Sequence, residues 1–266
     1  MKSLFKGSLA LAAPLLLAGS ASAQWADLEL TVVYGGKAPA PKYLDVNSKD
    51  KCNADPKGLI VDKLLVNPEN NGIANIVFTI ETRQTKLKEN QIHPDLRAAP
   101  SEAVVLDNVK CQFVPHVLTA RVGQPIEVRN SDTVPHNAKF SFFNNTEVNP
   151  LIPAGGAVNV VTTEPERAPT RVDCNVHPWM NSYVIVYDHP YTAVSDADGK
   201  IVIKNLPAGI PIAFKIWHEE QDKSIEEVTL DGKKQSWKRG ATELTLKEGS
   251  NNLGTLSIAA NRFKSE

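Results

Sequence analysis

Within the eight residues Asp173-Cys174-Asn175-Val176-His177-Pro178-Trp179-Met180, the chain offers a thiol, an imidazole and a thioether. Soft sulfur ligands combined with imidazole suit copper, which moves between Cu(I) and Cu(II). A trigonal site of two His and one Cys with a weak axial Met needs one further imidazole. His136 is the best candidate, at the end of the stretch 128–137, where a strand gives way to a polar turn. The same Cys174 could instead be a nucleophile with His177 as its base. A spacing of three residues in a loop gives poor geometry for that, and Met180 would have no role.

Four other histidines compete for attention. His116 opens an apolar run and is the rival ligand: a strand-start residue bonded to backbone, a second metal site, or a substitute for His136. His218, at the end of a strand, is read as structural or as an interface residue. His93 and His189 each precede proline and are read as turn residues. Cys52 and Cys111 are expected to form a disulfide, because an exported protein rarely keeps spare thiols. That pairing reserves Cys174 for metal. The turn Asp196-Ala197-Asp198-Gly199 superficially resembles a calcium loop, but Pro207 stands where the twelfth-position acid would be, so a hairpin turn is expected.

The elements that must hold these groups are strands. Runs at 28–34, 58–61, 74–80, 103–106, 116–121, 126–130, 157–162 and 183–187 are short, apolar and bounded by Gly, Pro or Asn. No stretch keeps a helical apolar period for three turns, and 85–96 reads as a loop or one short helix. The fold class is therefore all-β, of sandwich or barrel type. A change of style near His189-Pro190 opens a second series of tight turns and strands. The expected division is 24–188 for a first sandwich and 189–266 for a second, smaller one.

Residues 1–23 have a basic start, an apolar run and the small-residue ending Ala21-Ser22-Ala23. This is the pattern of a secretory signal peptide cleaved after Ala23, with a core too short to span a bilayer. The mature protein is expected in the bacterial periplasm or outside the cell, with no transmembrane segment. The full chain has 29 basic and 30 acidic residues among 266; cleavage removes Lys2 and Lys6 and takes the net charge from −1 to −3. Such a balance gives no electrostatic reason to expect nucleic acid as a partner.

The pattern Val128-x-Asn130-x-Asp132-(x)3-His136-Asn137, followed by Cys174-x-x-His177-Pro178-Trp179-Met180, resembles the cupredoxin family, and its short metal loop most resembles the amicyanin branch. The resemblance covers roughly 104–188 well and 24–82 loosely. It implies a Greek-key β-sandwich with one type 1 copper, held by His136, Cys174 and His177 with Met180 axial, and with Asn137 bracing the loop. It also implies a non-catalytic electron carrier, with a redox partner protein docking near Pro178 and Trp179. A copper store or chaperone would use the same ligands, and a non-redox adhesion or binding sandwich is the alternative of another class. The segment Asp196-x-Asp198-Gly199-Lys200-x-x-Ile203-x-x-Leu206-Pro207-x-Gly209 resembles the carboxypeptidase regulatory-like, transthyretin-like module. That likeness implies a fold and says little about activity.

Overall fold

The computed structural model describes residues 25–46 and 58–264. Residues 1–23 and Cys52 lie outside the described residues. Strands dominate throughout, and the helical pieces among the described residues are three-residue 3-10 turns. Two of these, Glu89–Gln91 and Pro94–Leu96, occupy the stretch expected to be a loop or short helix.

The sheets form two sandwiches, one inserted into the other. In the outer sandwich, one sheet has the order Lys200–Pro207, Trp25–Gly35, Gly249–Ala259, Glu227–Leu230, Lys233–Ser236. The facing sheet has the order Thr192–Val194, Val77–Ile80, Pro211–Trp217, Ala241–Thr245. Alternation along the first strand points Ala26, Leu28, Leu30 and Val32 inward, where they meet Phe78, Phe214, Trp237 and Leu256. Phe78 stacks on Phe214 with centroids 5.2 Å apart. This interior is apolar on both faces, the condition for two sheets to pack.

The expected division at 188 is corrected here. Residues 25–35 and 77–80 belong with the C-terminal strands, with which they pair and share one apolar core. The inserted sandwich runs from about 104 to 187. One of its sheets has the order Lys139–Phe140, Thr170–Asp173, Asn181–Tyr187, Val117–Arg121, and the other Ala157–Val160, Ile126–Asn130, Val104–Val109, Gln112–Val114. Its core includes Leu106, Phe113, Val128, Phe140, Val172 and Val184.

Two features join the sandwiches. Val77 of the outer one packs with Val117 and Ile185 of the inserted one, and Tyr183 meets Trp217 edge-on at 5.1 Å. In addition, the chain after the first strand leaves the outer sandwich as a ribbon, Tyr43–Leu44 paired with Leu59–Ile60, and places Leu59 in the inserted core.

Candidate metal centre

His136 lies in the two-residue strand His136–Asn137, which pairs with Leu151–Ile152. Asn130 fixes the turn before it, donating from Nδ2 to the carbonyls of Val134 and Ile152 at 2.8 and 3.0 Å. Cys174 follows the strand Thr170–Asp173, and the loop after it closes on itself. The Cys174 amide donates to the Met180 carbonyl at 3.2 Å, and the Met180 amide to the His177 carbonyl at 2.9 Å. These bonds fold the seven residues 174–180 tightly enough to turn His177 back towards Cys174.

The result is a buried cluster. His136 Nδ1, His177 Nδ1 and Cys174 Sγ converge within 4.8 Å of one another. The separations are 2.9 Å between the two nitrogens, 3.8 Å from Sγ to His136 and 3.9 Å from Sγ to His177. Three atoms so spaced lie on a circle of radius about 2.1 Å, close to the ~2.0–2.3 Å of nitrogen and thiolate bonds to a metal such as zinc. The donor set and its spacing therefore fit one metal ion. Met180 is also buried, in the same core as Cys174.

His136 and the loop that carries Cys174 are each held from behind. His136 Nε2 lies 2.9 Å from Asp132 Oδ2. The acid accepts Nε2–H, which leaves the Nδ1 lone pair facing the cluster. Asp132 in turn accepts the amides of Lys110 and Cys111 at 2.6 and 2.8 Å. Those two residues have φ of 52° and 59°, so the tight turn between neighbouring strands aims both N–H groups at one carboxylate. Burial lowers the His136 pKa, the Asp132 bond opposes that, and the nearby His177 lowers it further. The ring is thereby kept neutral, the form that binds a metal.

Asn137 braces the loop from the other side. Its Oδ1 accepts the amides of Asn175 and Val176 at 2.8 and 3.2 Å and lies 3.5 Å from Cys174 Sγ, while its Nδ2 donates to Asn149 at 2.6 Å. Trp179 is half-buried, its indole N–H donating to the Cys111 carbonyl at 3.2 Å; Pro178 and Val176 are exposed beside it. Cys174 is the free cysteine among the described residues.

His116 stands apart from this cluster; its carbonyl accepts the Tyr183 amide at 2.9 Å, while its ring meets carboxylates. Its ring lies between two carboxylates, Glu219 at Nε2 and Asp62 Oδ2 at 3.1 Å from Nδ1. Burial pulls the imidazolium down, but the two carboxylates outweigh it, and the pKa is raised to about 9. Glu219 comes from the outer sandwich and Asp62 from the ribbon, so His116 ties three segments together. His218 accepts the Glu220 amide and meets Phe263 edge-on; burial takes its pKa down to about 3. His189 accepts the Tyr191 amide and His93 that of Asp95, as turn residues do. Sequence reasoning assigned no role to Asp132 and did not connect Asp62 or Glu219 with His116; the only local signal was an acid four residues before a ligand-type histidine.

The chain matches no protein-family model and no curated protein. Among solved structures it is similar to a copper-containing nitrite reductase from Thermus scotoductus, with 20% identity over 41% of this chain and a TM-score of 0.31. This chain spans about a quarter of that one, with coverage of 26%. It is also similar to a purple cupredoxin from Nitrosopumilus maritimus, with 24% identity over 32% of this chain and 99% of that one and a TM-score of 0.27. A third likeness is to an amicyanin variant in its Cu(I) form, with 23% identity over 34% of this chain and 86% of that one and a TM-score of 0.30. Side-chain geometry, rather than these partial likenesses, carries the functional reading.

Proposed function

We propose that this chain is an exported type 1 copper protein that carries electrons and has no catalysis of its own. The carrying observation is the buried triangle of two imidazole nitrogens and one thiol sulfur. His136, His177 and Cys174 would hold the ion, with Met180 as the weak fourth ligand. Bound there, copper would supply a one-electron couple. The protein's part is to keep the donor atoms in place through the change. Asp132 fixes the His136 ring, Asn137 fixes the 174–180 loop, and the β-sheet on either side leaves neither free to relax. A site that reorganises little exchanges electrons quickly.

Exposed Val176 and Pro178, on either side of His177, offer an apolar contact for a redox partner protein. A small interface of this kind suits a transient encounter. Export follows from the reading of residues 1–23, and a Cys52–Cys111 disulfide goes with it. No helix among the described residues is long and apolar enough to cross a membrane. For the outer sandwich, the likeness of 196–209 to the carboxypeptidase regulatory-like module stands as a reading of its fold.

Cu(II) added to the purified mature protein is expected to give an intense thiolate-to-copper absorption band and a narrow-hyperfine paramagnetic spectrum. Retention of that band in Cys174→Ala would overturn the assignment. A reversible voltammetric wave separates an electron carrier from a copper store.

A further inference from the structure

The sheets of both sandwiches are open, and most of their edge strands are guarded against pairing with another chain. Lys200–Pro207, Lys233–Ser236, Ala241–Thr245 and Val117–Arg121 each carry a charged residue. Thr192–Val194, Gln112–Val114 and Lys139–Phe140 are only two or three residues long. Charge and shortness are the usual protections of a free edge. The edge strand Ala157–Val160 has neither. The stretch 156–163 that contains it holds no charge and no proline, and it is rich in the Val and Thr that favour strands.

The direction of its backbone follows from its one neighbour, Ile126–Asn130. The Asn130 amide donates to the Gly156 carbonyl at 2.9 Å, while the Ser131 amide turns the other way, to the Asn108 carbonyl at 3.1 Å. Bonding alternates along an antiparallel pair, so Val158 and Val160 turn their N–H and C=O groups to this neighbour. The Thr162 carbonyl, accepting the Gly123 amide at 2.9 Å, keeps the alternation past the end of the strand. Ala157, Asn159 and Val161 therefore present their backbone groups to the open edge. All three residues are exposed, Val161 by 54%, and no hydrogen bond among the described residues reaches them from that side.

We propose that this edge pairs with the same edge of a second copy of the chain, antiparallel, about a two-fold axis at Asn159. A second copy is the occupant because the strand is its own complement. In that register Asn159 faces Asn159 of the second copy, and Ala157 faces Val161 of the second copy, so the smaller side chain lies beside the larger exposed one. Glu164, the first charge beyond the strand, falls opposite Ala154, and no like charges meet. The outward groups of the three residues exchange about six backbone hydrogen bonds, and the two sheets become one. An isologous contact of this kind closes on itself and stops at the dimer. It is small, so the dimer is weak. The proposal stands on the sheet edge and does not draw on the copper reading.

The test is sedimentation equilibrium of the full mature chain, metal-free, from about 10 µM to about 1 mM, the range of a weak complex. A monomer–dimer equilibrium is expected, and amide exchange at Asn159 should slow as the protein is concentrated. Asn159→Lys sets two like charges against each other at the axis and should weaken the dimer at least about fivefold, with far-ultraviolet dichroism unchanged. An equal mixture of Asn159→Lys and Asn159→Glu should recover the dimer. A monomer at every concentration, a dimer of full strength in Asn159→Lys, or a mixture no stronger than the lysine variant alone would each overturn the proposal. Since no metal is present, these results leave the copper assignment untouched, and a colourless protein leaves this proposal untouched.

Discussion

Asp132 Oδ2 and His136 Nε2 lie 2.9 Å apart, on the edge of the ring opposite the one that faces Cys174. Five residues of sequence, 132–136, thus hold both the ring and its support. The same carboxylate gathers two backbone amides from a turn more than twenty residues earlier.

Replacing this acid should act on both affinity and stability. In Asp132→Ala the His136 ring loses its tautomer-fixing partner, the buried Cys111 amide is left unpaired, and the part-buried Lys110 amide loses the same acceptor. Copper affinity is expected to fall about 10- to 100-fold, as for other outer-shell partners. The metal-free protein should lose about 1–3 kcal/mol. Competitive copper titration and urea unfolding read the two effects separately. Unchanged affinity would show that the ring is held without Asp132.

Asn137→Ala should loosen the 174–180 loop. Amide exchange at Asn175 and Val176 is expected to speed up, because both lose the acceptor they share. Exchange in the strand Asn181–Tyr187 should stay as slow as before. The comparison can be made by hydrogen exchange on the metal-free protein. Equal protection of Asn175 and Val176 in the variant would remove Asn137 from the bracing role.

Stability should fall towards both ends of the pH scale, for opposite reasons. The His116 pKa is raised to about 9 by Asp62 and Glu219 against the effect of burial. Its contribution is complete below the unfolded value of about 6.5 and is lost as pH rises through about 9. His189 and His218 are depressed by burial to about 4 and about 3. Theirs is complete above about 6.5 and lost as pH falls towards those values. Urea midpoints across pH 4–10 should trace an arch, and His116→Gln should flatten its alkaline side alone. An alkaline limb that survives His116→Gln would place its cause elsewhere.

Phe78→Ala removes the ring stacked on Phe214 in the outer core and should cost about 3–5 kcal/mol. The metal cluster lies in a different core, so the copper spectrum of the folded variant should match that of the parent. A changed spectrum would mean that the two cores are coupled through Val77 and its neighbours. Denaturation followed by tryptophan emission and by the copper band supplies both readings.

The candidate ligands were legible because they lie close in sequence: Cys174, His177 and Met180 share one loop, and His136 ends one strand. What sets their geometry was less so. The burial alternation of Trp25–Gly35 announces a strand with one apolar face, yet nothing local says which sheet covers it. Its partners are the C-terminal strands, and the expected boundary at 188 therefore assigned it to the wrong sandwich. His116 shows the same limit, since one of its two carboxylates lies 103 positions away. Pairings of that span depend on topology, which a local pattern does not record.

The parallel pairing of Trp25–Gly35 with Gly249–Ala259 sets an order of assembly. Asn251 bonds the Asp27 carbonyl across 224 positions, so the outer sandwich cannot close until nearly the whole chain is present. Among the described residues, the strands of the inserted sandwich's two four-stranded sheets lie between residues 104 and 187, within reach of earlier pairing. Long-range pairing is the slower kind. The inserted sandwich is thus expected to fold first, with the first strand's apolar face uncovered until the last long strand pairs with it.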